Sequence, residues 1–235
     1  MRTIILLAGA GKRLRNFTEN PKCLLKIGGM TLLERYLSAL AQLNIPDIAL
    51  VVGYKSEMVK RSARNLNPHL KFIENPDFQK GSILSLYRAS DELRGDTILM
   101  DGDVYFEAEV LRRVVASKTE NLVATDTTQT GSGEEMMVGI KNGRILDMKR
   151  HLHGSYDLAG EAVGFYKLGQ QACESLRQIL DEQLRLGRQN LGYEDVLPLL
   201  FQRIHFEPVI VDGLKWVEID FEEDIIRAKK LAGRF

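Results

Sequence analysis

An apolar run from Thr3 to Leu7 passes without a polar break into Ala8-Gly9-Ala10-Gly11-Lys12-Arg13, and that junction limits what the chain can build. The length and isoleucine content of the run suit a buried strand. The two glycines beyond it let backbone amides approach an anion with no Cβ atoms in the way. Arg13 and, further on, Lys22 can place fixed positive charge beside the same anion, so Leu6–Lys22 reads as a phosphate-binding loop. Two better-known glycine loops do not fit. A P-loop requires Ser or Thr after Gly-Lys and a glycine five residues before its second glycine, whereas here Arg13 follows Lys12 and Leu6 holds the earlier place. A dinucleotide fingerprint begins well at Gly9-Ala10-Gly11, but its third glycine would fall at Leu14.

Composition narrows the class of partner. Lys plus Arg and Asp plus Glu both number 32, so no polyanion is implied globally and neither nucleic acid nor a membrane surface is expected. At 235 residues, 44% hydrophobic and 27% charged, the chain can bury a substantial core in one α/β domain. Cys23 and Cys173 stand far apart with no CxxC and no histidine cluster, which argues against a disulfide framework or a zinc site and points to a reducing compartment. The first apolar run is too short, and wrongly followed, for a signal peptide, and no segment nears the roughly 18 apolar residues needed to cross a bilayer. A cytoplasmic location is expected.

The order of elements gives the fold class. Thr31 and Glu34 form a capping box before a helical pattern over Thr31–Leu43, and Pro46-Asp47 leads into a second buried strand, Ile48–Val52. Ser56 is expected to cap a helix to about Leu66, followed by a strand at Lys71–Glu74 and the break Asn75-Pro76-Asp77. Gly81-Ser82 opens a helix whose apolar members are Leu84, Leu86, Tyr87 and Leu93, and Asp96–Met100 is a fourth strand ending in Asp101-Gly102-Asp103. This βα alternation implies a mostly parallel, Rossmann-like mixed sheet flanked by helices, with its site at the carboxyl edge. Beyond a helix at Ala108–Ser117, a strand at Leu122–Asp126 and a polar loop at Thr127–Gly133, the pattern changes. Met136–Ile140, Arg144–Met148 and Ala162–Lys167 read as short strands, the first two joined by the turn Lys141-Asn142-Gly143, which predicts an antiparallel elaboration in the second half. Helices over Gln170–Leu186 and Tyr193–Arg203, extended pieces at Glu207–Val211 and Trp216–Asp220, and a helix from Phe221 to Ala232 complete the chain. With no repeat or linker, residues 1–235 are expected to form one domain, 1–107 on the nucleotide side and 108–235 on the acceptor side.

Carboxylates recur where strands end, at Asp101 and Asp103 and again at Glu218 and Asp220. Such residues either cap the elements that follow or hold a hard divalent ion, and a phosphate loop on the first strand favours the second role for Asp103 and Asp220.

Ala8-Gly9-Ala10-Gly11-Lys12-Arg13-Leu14 with Asn20-Pro21-Lys22-Cys23-Leu24-Leu25 resembles the A-G-x-G-x-R-L…P-K-x-L-L signature of the nucleotidyltransferases that make activated sugars and polar head groups. Gly28-Gly29, Val52-Gly53-Tyr54, Asp101-Gly102-Asp103 and Trp216-Val217-Glu218-Ile219-Asp220…Asp224…Ala228 extend the likeness to the branch of CTP:phosphocholine, 2-aminoethylphosphonate and inositol-1-phosphate cytidylyltransferases. Leu7 departs from the usual Ala and is expected to tighten the wall near the base or ribose. Lys80-Gly81-Ser82-Ile83 stands where choline-type members more often carry an Asn-rich turn, which counts against phosphocholine in particular.

The resemblance implies a nucleotide-diphospho-sugar transferase-like fold and a Mg²⁺-dependent transfer of CMP from CTP to a small phosphorylated or phosphonylated alcohol. It assigns Arg13, Lys22, Asp103 and Asp220 to catalysis, with Mg²⁺ on the two aspartates. Leu7, Ala8, Gly9, Ala10, Gly11 and Lys12, with Gly81, Ser82 and Ser85, would face the nucleotide; Ser82 serves equally well as a helix cap. Lys149, Glu161, Tyr193, Glu194, Asp195, Trp216 and Glu218 would line the acceptor pocket, where aromatic faces and carboxylates suit a cationic amine or choline. Tyr193 and Trp216 are open to a packing role as well, and His151 and His153 read as loop residues. Competing readings are a sugar-1-phosphate uridylyl- or guanylyltransferase and a nucleotide-binding regulator without turnover. Monomer and homodimer are both compatible with the helices between Gln170 and Arg203.

Overall fold

Strands that are apolar on both sides are stable only when both faces of their sheet are covered. The computed structural model, which describes residues 1–14, 17–128 and 133–233, meets that demand with helices on two sides of one sheet. Arg15 and Asn16 in the first loop, and residues 129–132 in the loop expected over Thr127–Gly133, lie outside the described residues.

In chain order the elements are β1 (Arg2–Leu7), β2 (Lys26–Ile27), β3 (Met30–Thr31), α1 (Leu32–Gln42), β4 (Ile48–Val52), α2 (Ser56–Leu66), β5 (Lys71–Glu74), α3 (Ser82–Arg88), β6 (Thr97–Asp101) and β7 (Val104–Phe106). They continue with α4 (Ala108–Ala116), β8 (Leu122–Asp126), β9 (Met137–Lys141), β10 (Arg144–Lys149), β11 (Leu158–Leu168), α5 (Gln170–Arg185), α6 (Leu197–Arg203), β12 (Glu207–Ile210), β13 (Trp216–Glu218) and α7 (Glu222–Leu231). The main sheet runs β10-β9-β11-β6-β1-β4-β5, with β8 on β11 and β12 on β8. Pairings of β1 with β4 and β6, of β4 with β5, and of β12 with β8 are parallel; those of β11 with β6, β8 and β9, and of β9 with β10, are antiparallel. The expected α/β class with an antiparallel second half is the architecture found.

Side chains alternate across the sheet. Ile5, Leu50 and Met100 face a core shared with α1, α2, α4 and α7, whereas Ile4, Val51 and Leu99 face one shared with α3, α5 and α6. The capping box forms as expected, with the Glu34 N–H donating to Thr31 Oγ1 at 3.1 Å and the Thr31 N–H to Glu34 Oε2 at 2.6 Å. Asn142 and Gly143 both take positive φ, 50° and 73°, which a tight hairpin of this kind needs.

Four local expectations change. Ser56 is the first residue of α2 rather than its cap; the cap position is Lys55, held left-handed at φ 46° with no side-chain bond. The helix after Gly81 stops at Arg88, so Leu93 packs from beyond a following 3₁₀ turn. The helix expected over Tyr193–Arg203 divides into a 3₁₀ turn at Glu194–Val196 and α6, since Pro198 in the first turn cannot extend a helix backwards. Finally, the extended piece at Trp216 ends at Glu218 and pairs with β7 in a separate ribbon, Glu218 opposite Val104, with a further bond from the Ile219 N–H to Asp103 O at 2.9 Å. This ribbon brings the end of the chain to the carboxyl edge of β6.

Tyr36 fastens that edge from below. It is fully buried; its hydroxyl donates to Asp101 O at 2.6 Å and accepts the Val104 N–H at 3.0 Å. Tyr36→Phe keeps the ring but leaves two buried backbone groups without a partner, and should lower unfolding stability by about 1–3 kcal/mol. Urea denaturation is the check: a falling midpoint at constant slope is expected.

Candidate functional site

The site begins where β1 ends. Gly11 takes φ 55°, and a Cβ there would stand 3.1 Å from Cγ of Lys22, so the glycine lets the lysine side chain run beneath the loop. The space around Gly9 is open: among the described residues nothing lies within 4 Å of where its Cβ would be. That is the arrangement required for backbone to meet a ligand directly. A 3₁₀ turn over Lys12–Leu14 carries Arg13 outward, and another over Lys22–Leu24, entered through Pro21, points Lys22 inward.

Lys22 joins two carboxylates from distant parts of the chain. Its Nζ lies 2.5 Å from Asp220 Oδ1 and 3.0 Å from Asp103 Oδ2. Burial works against the ammonium charge, but Asp103 and Asp220 outweigh it and raise the Lys22 pKa, so it stays protonated. Arg13 NH1 donates to Asp220 Oδ2 at 2.8 Å, its NH2 lies 3.2 Å from Glu134 Oε2, and its guanidinium stands 4.9 Å from the Phe221 ring centre. Asp220 is aimed by the helix that follows it, because the Asp224 carboxylate accepts the N–H groups of Asp220 and Phe221 at 3.0 and 2.8 Å.

Glu218 completes a trio. One oxygen each from Asp103, Glu218 and Asp220 lie within 4.8 Å of one another. Burial first, and then Asp103 and Asp220, hold the Glu218 carboxyl well above the usual carboxylate range. An all-oxygen set of this size, already bridged by one ammonium, fits a hard divalent cation.

Two clefts meet at Asp220. One, of about 310 Å³, lies between Ala10–Arg13 with Lys22 on one side and Phe78, Gln79 and Lys80 on the other, so Lys12, Arg13, Lys22 and Lys80 surround a single carboxylate. The second, of about 140 Å³, is acidic: Glu134, Glu135, Glu161, Glu218, Asp220 and Asp224 line it with Trp216, Val217, Phe221 and one cation, Arg227. The Trp216 ring is fixed by its Nε1–H, which donates to Asp126 Oδ2 at 2.8 Å. Burial, then Glu135 and Asp126, push the Glu161 carboxyl up to about 7.

Most residues expected in the site reach it, and some do not. Arg13, Lys22, Asp103 and Asp220 converge; Ala10, Gly11 and Lys12 line the cationic cleft; Glu161, Trp216 and Glu218 line the acidic one. Leu7 sits beneath the loop, 5% exposed, in a small cavity with Lys22, Cys23, Gly102 and Asp103, so its bulk fills space under the aspartate turn. Ala8 is buried against Gly53, whose Cβ would collide with it. Gly81 occupies the cap position of α3, with its backbone pressed on Leu191 and Asn190, and Ser82 Oγ accepts the Tyr193 N–H at 2.9 Å. Ser85 is buried and takes a bond from Asn75 Nδ2 at 2.9 Å, away from any cleft surface.

Four acceptor candidates are placed elsewhere. Lys149 ends β10 in solvent, bonded to Asp147 at 2.9 Å, because the strand between it and Glu161 separates them. Tyr193 is 2% exposed and bonded to Asp101, and the Asp195 carboxylate accepts the Gly192 N–H at 2.7 Å. Glu194 lies beneath the site, where burial and Asp103 raise its carboxyl to about 7. Sequence reasoning missed Glu134, Glu135, Asp224, Phe221 and Arg227 in the acidic cleft and Phe78 and Gln79 in the cationic one. Only Asp224 carried a signal, as part of the closing motif.

The chain is 29% identical over 229 residues to the bifunctional IPC transferase and DIPP synthase of Aquifex aeolicus, covering 97% of this chain and 50% of that protein. It therefore spans about half the length of that relative. CTP:phosphoglutamine cytidylyltransferase of Campylobacter jejuni is 22% identical over 248 residues, covering 96% of this chain and 98% of that one. Among solved structures, CTP:phosphocholine cytidylyltransferase from Streptococcus pneumoniae superposes with a TM-score of 0.80 at 20% identity, over 98% of each chain, a likeness of fold. The MobA-like NTP transferase domain matches residues 3–189, most of the sequence, and the chain belongs to that family.

Proposed function

We propose that this chain is a cytidylyltransferase that moves CMP from CTP to a small phosphorylated or phosphonylated alcohol and releases pyrophosphate. The observation that carries the reading is the convergence of Lys22, Arg13, Asp103 and Asp220 at the carboxyl edge of the parallel strands, beside an open glycine loop. The names of the Campylobacter and Streptococcus relatives support CTP as donor.

The acceptor phosphate oxygen attacks the α-phosphorus in line. It is already ionised, so no general base is required. Both reactants are anions, and the chain's main task is to neutralise and align them. Arg13 and the amides of the glycine loop hold the β- and γ-phosphates. Lys22 turns from its carboxylates to the α-phosphate, where negative charge grows. A Mg²⁺ ion held by Asp103 and Asp220, with Glu218 beside them, would supply Lewis-acid polarisation of a phosphoryl oxygen and a template for the two reactants. The acidic cleft next to this junction suits an acceptor whose far end carries a cationic amine, with Trp216 and Phe221 as aromatic walls.

A matrix of four nucleoside triphosphates against phosphocholine, aminoethylphosphonate, inositol 1-phosphate and sugar 1-phosphates, read by pyrophosphate release, tests the reading. Turnover with CTP is expected; strong turnover with UTP or GTP and none with CTP would overturn it, and nucleotide binding without pyrophosphate from any acceptor would favour a regulator. Lys22→Ala should lower kcat about 100-fold. Asp103→Asn and Asp220→Asn should each lose Mg²⁺-dependent turnover, and full activity in either refutes the metal pair.

Glu161 adds a pH signature. Its carboxyl is raised to about 7, so it is charged only above that pH and loses its attraction for a cationic acceptor below it. The acceptor KM should rise as pH falls through 7, and Glu161→Gln should flatten the profile at the weaker-binding level.

A further inference from the structure

Tyr193 links the turn after β6 to the start of α3. Its hydroxyl stands 2.7 Å from Asp101 Oδ1 and 2.6 Å from Oδ2, so its one proton is shared by both oxygens of a partly buried carboxylate. Its backbone N–H donates to Ser82 Oγ at 2.9 Å, and two residues earlier Leu191 O accepts the Ile83 N–H at 3.2 Å. The ring is held edge-on against Tyr166, centres 6.1 Å apart. At 2% exposure it reaches neither cleft, which excludes direct contact with an acceptor.

The carboxylate it holds belongs to the turn that presents Asp103. Asp101 fits only because Gly164, at φ 81°, lacks a Cβ that would strike the carboxylate, and the same turn is secured through the Asp101 carbonyl by Tyr36. Two buried tyrosines therefore fix Asp101, one through backbone and one through side chain. Beyond it, Asp103 O accepts the Ile219 N–H, so a shift at Asp101 would also be passed toward the strand end that carries Asp220.

We propose that Tyr193 is a positioning residue: by holding the Asp101 carboxylate it sets the Asp101-Gly102-Asp103 turn for a divalent cation, and by its backbone it ties that turn to the nucleotide-side turn at Ser82. The inference rests on the assignment of Asp103 and Asp220 to a metal. Groups bonded directly to a metal ligand typically contribute 10–100-fold to metal affinity, and Tyr193, acting on Asp103 through the turn, is expected at the low end of that range.

Tyr193→Phe removes one hydroxyl while keeping the ring contacts and the N–H to Ser82, so its effects separate. Titration of the protein with Mn²⁺ alone, read by electron paramagnetic resonance of the free ion, should show affinity weakened about tenfold or more. Turnover should show kcat reduced while the KM for the nucleotide stays within about twofold, because the Ser82 bond is untouched. Charge is separated from position at the partner. Asp101→Asn keeps an acceptor for the phenol and should hold Mn²⁺ affinity within about threefold, whereas Asp101→Leu should match the Tyr193→Phe loss, with no further loss in the double variant. If Tyr193→Phe does not fold, the Asn and Leu variants carry the same comparison. Wild-type Mn²⁺ affinity in folded Tyr193→Phe or Asp101→Leu overturns the positioning role, as does an Asp101→Asn loss equal to that of Asp101→Leu. A wild-type protein that binds no Mn²⁺ overturns the metal assignment and this inference together.

Discussion

The contact on which the site depends is the bridge from Lys22 to Asp103 and Asp220. Taking an ammonium and two carboxylates partly out of water costs free energy that only close geometry offsets. That geometry is imposed from outside the trio. Gly11 opens a path for the lysine stem, β6 delivers Asp103, and the β7–β13 ribbon with the Asp224 cap delivers Asp220. In this arrangement Arg13 and Lys22 neutralise Asp103 and Asp220. The compact state therefore holds opposite charges at one point without excess repulsion.

A chain with zero formal charge has nonetheless separated its charges locally. Among the described residues, four cations surround one side of Asp220, and five further carboxylates with Arg227 the other. This bipolar surface is the geometric basis of the dipolar acceptor proposed above. The neutral total over the chain hides this local separation. Opposite fields a few ångströms apart cancel in any sum over the chain, though each is strong at close range.

The parts legible in the sequence were those governed by neighbours in the chain. The Thr31–Glu34 box, the Asn142-Gly143 turn, the buried strands and the glycine loop each depend on contacts within a few residues, so local chemistry suffices to read them. Tyr193, Ser85 and Lys149 were legible only as residue types. A tyrosine beside two acids suits an amine pocket or a core equally well. What decides is that Asp101 and Ser82, 92 and 111 residues away, are its hydrogen-bond partners. The acidic cleft was mostly invisible because its residues come from three separated segments, around Glu134, Glu161 and Trp216–Arg227, with no shared spacing.

By itself the sequence determined the α/β class, the glycine loop and the four charged residues that meet at the site. Glycine and proline constrain backbone wherever they stand, and a strand end in an open α/β sheet points its last residues at the ligand edge. Only the tertiary structure decided which carboxylates share Lys22, which face turns acidic, and which tyrosine is buried behind the aspartate turn. Those outcomes depend on sheet order and ribbon pairing, which bring residues distant along the chain within hydrogen-bonding range. Side-chain chemistry acts at about 3 Å, a distance that sequence separation does not encode.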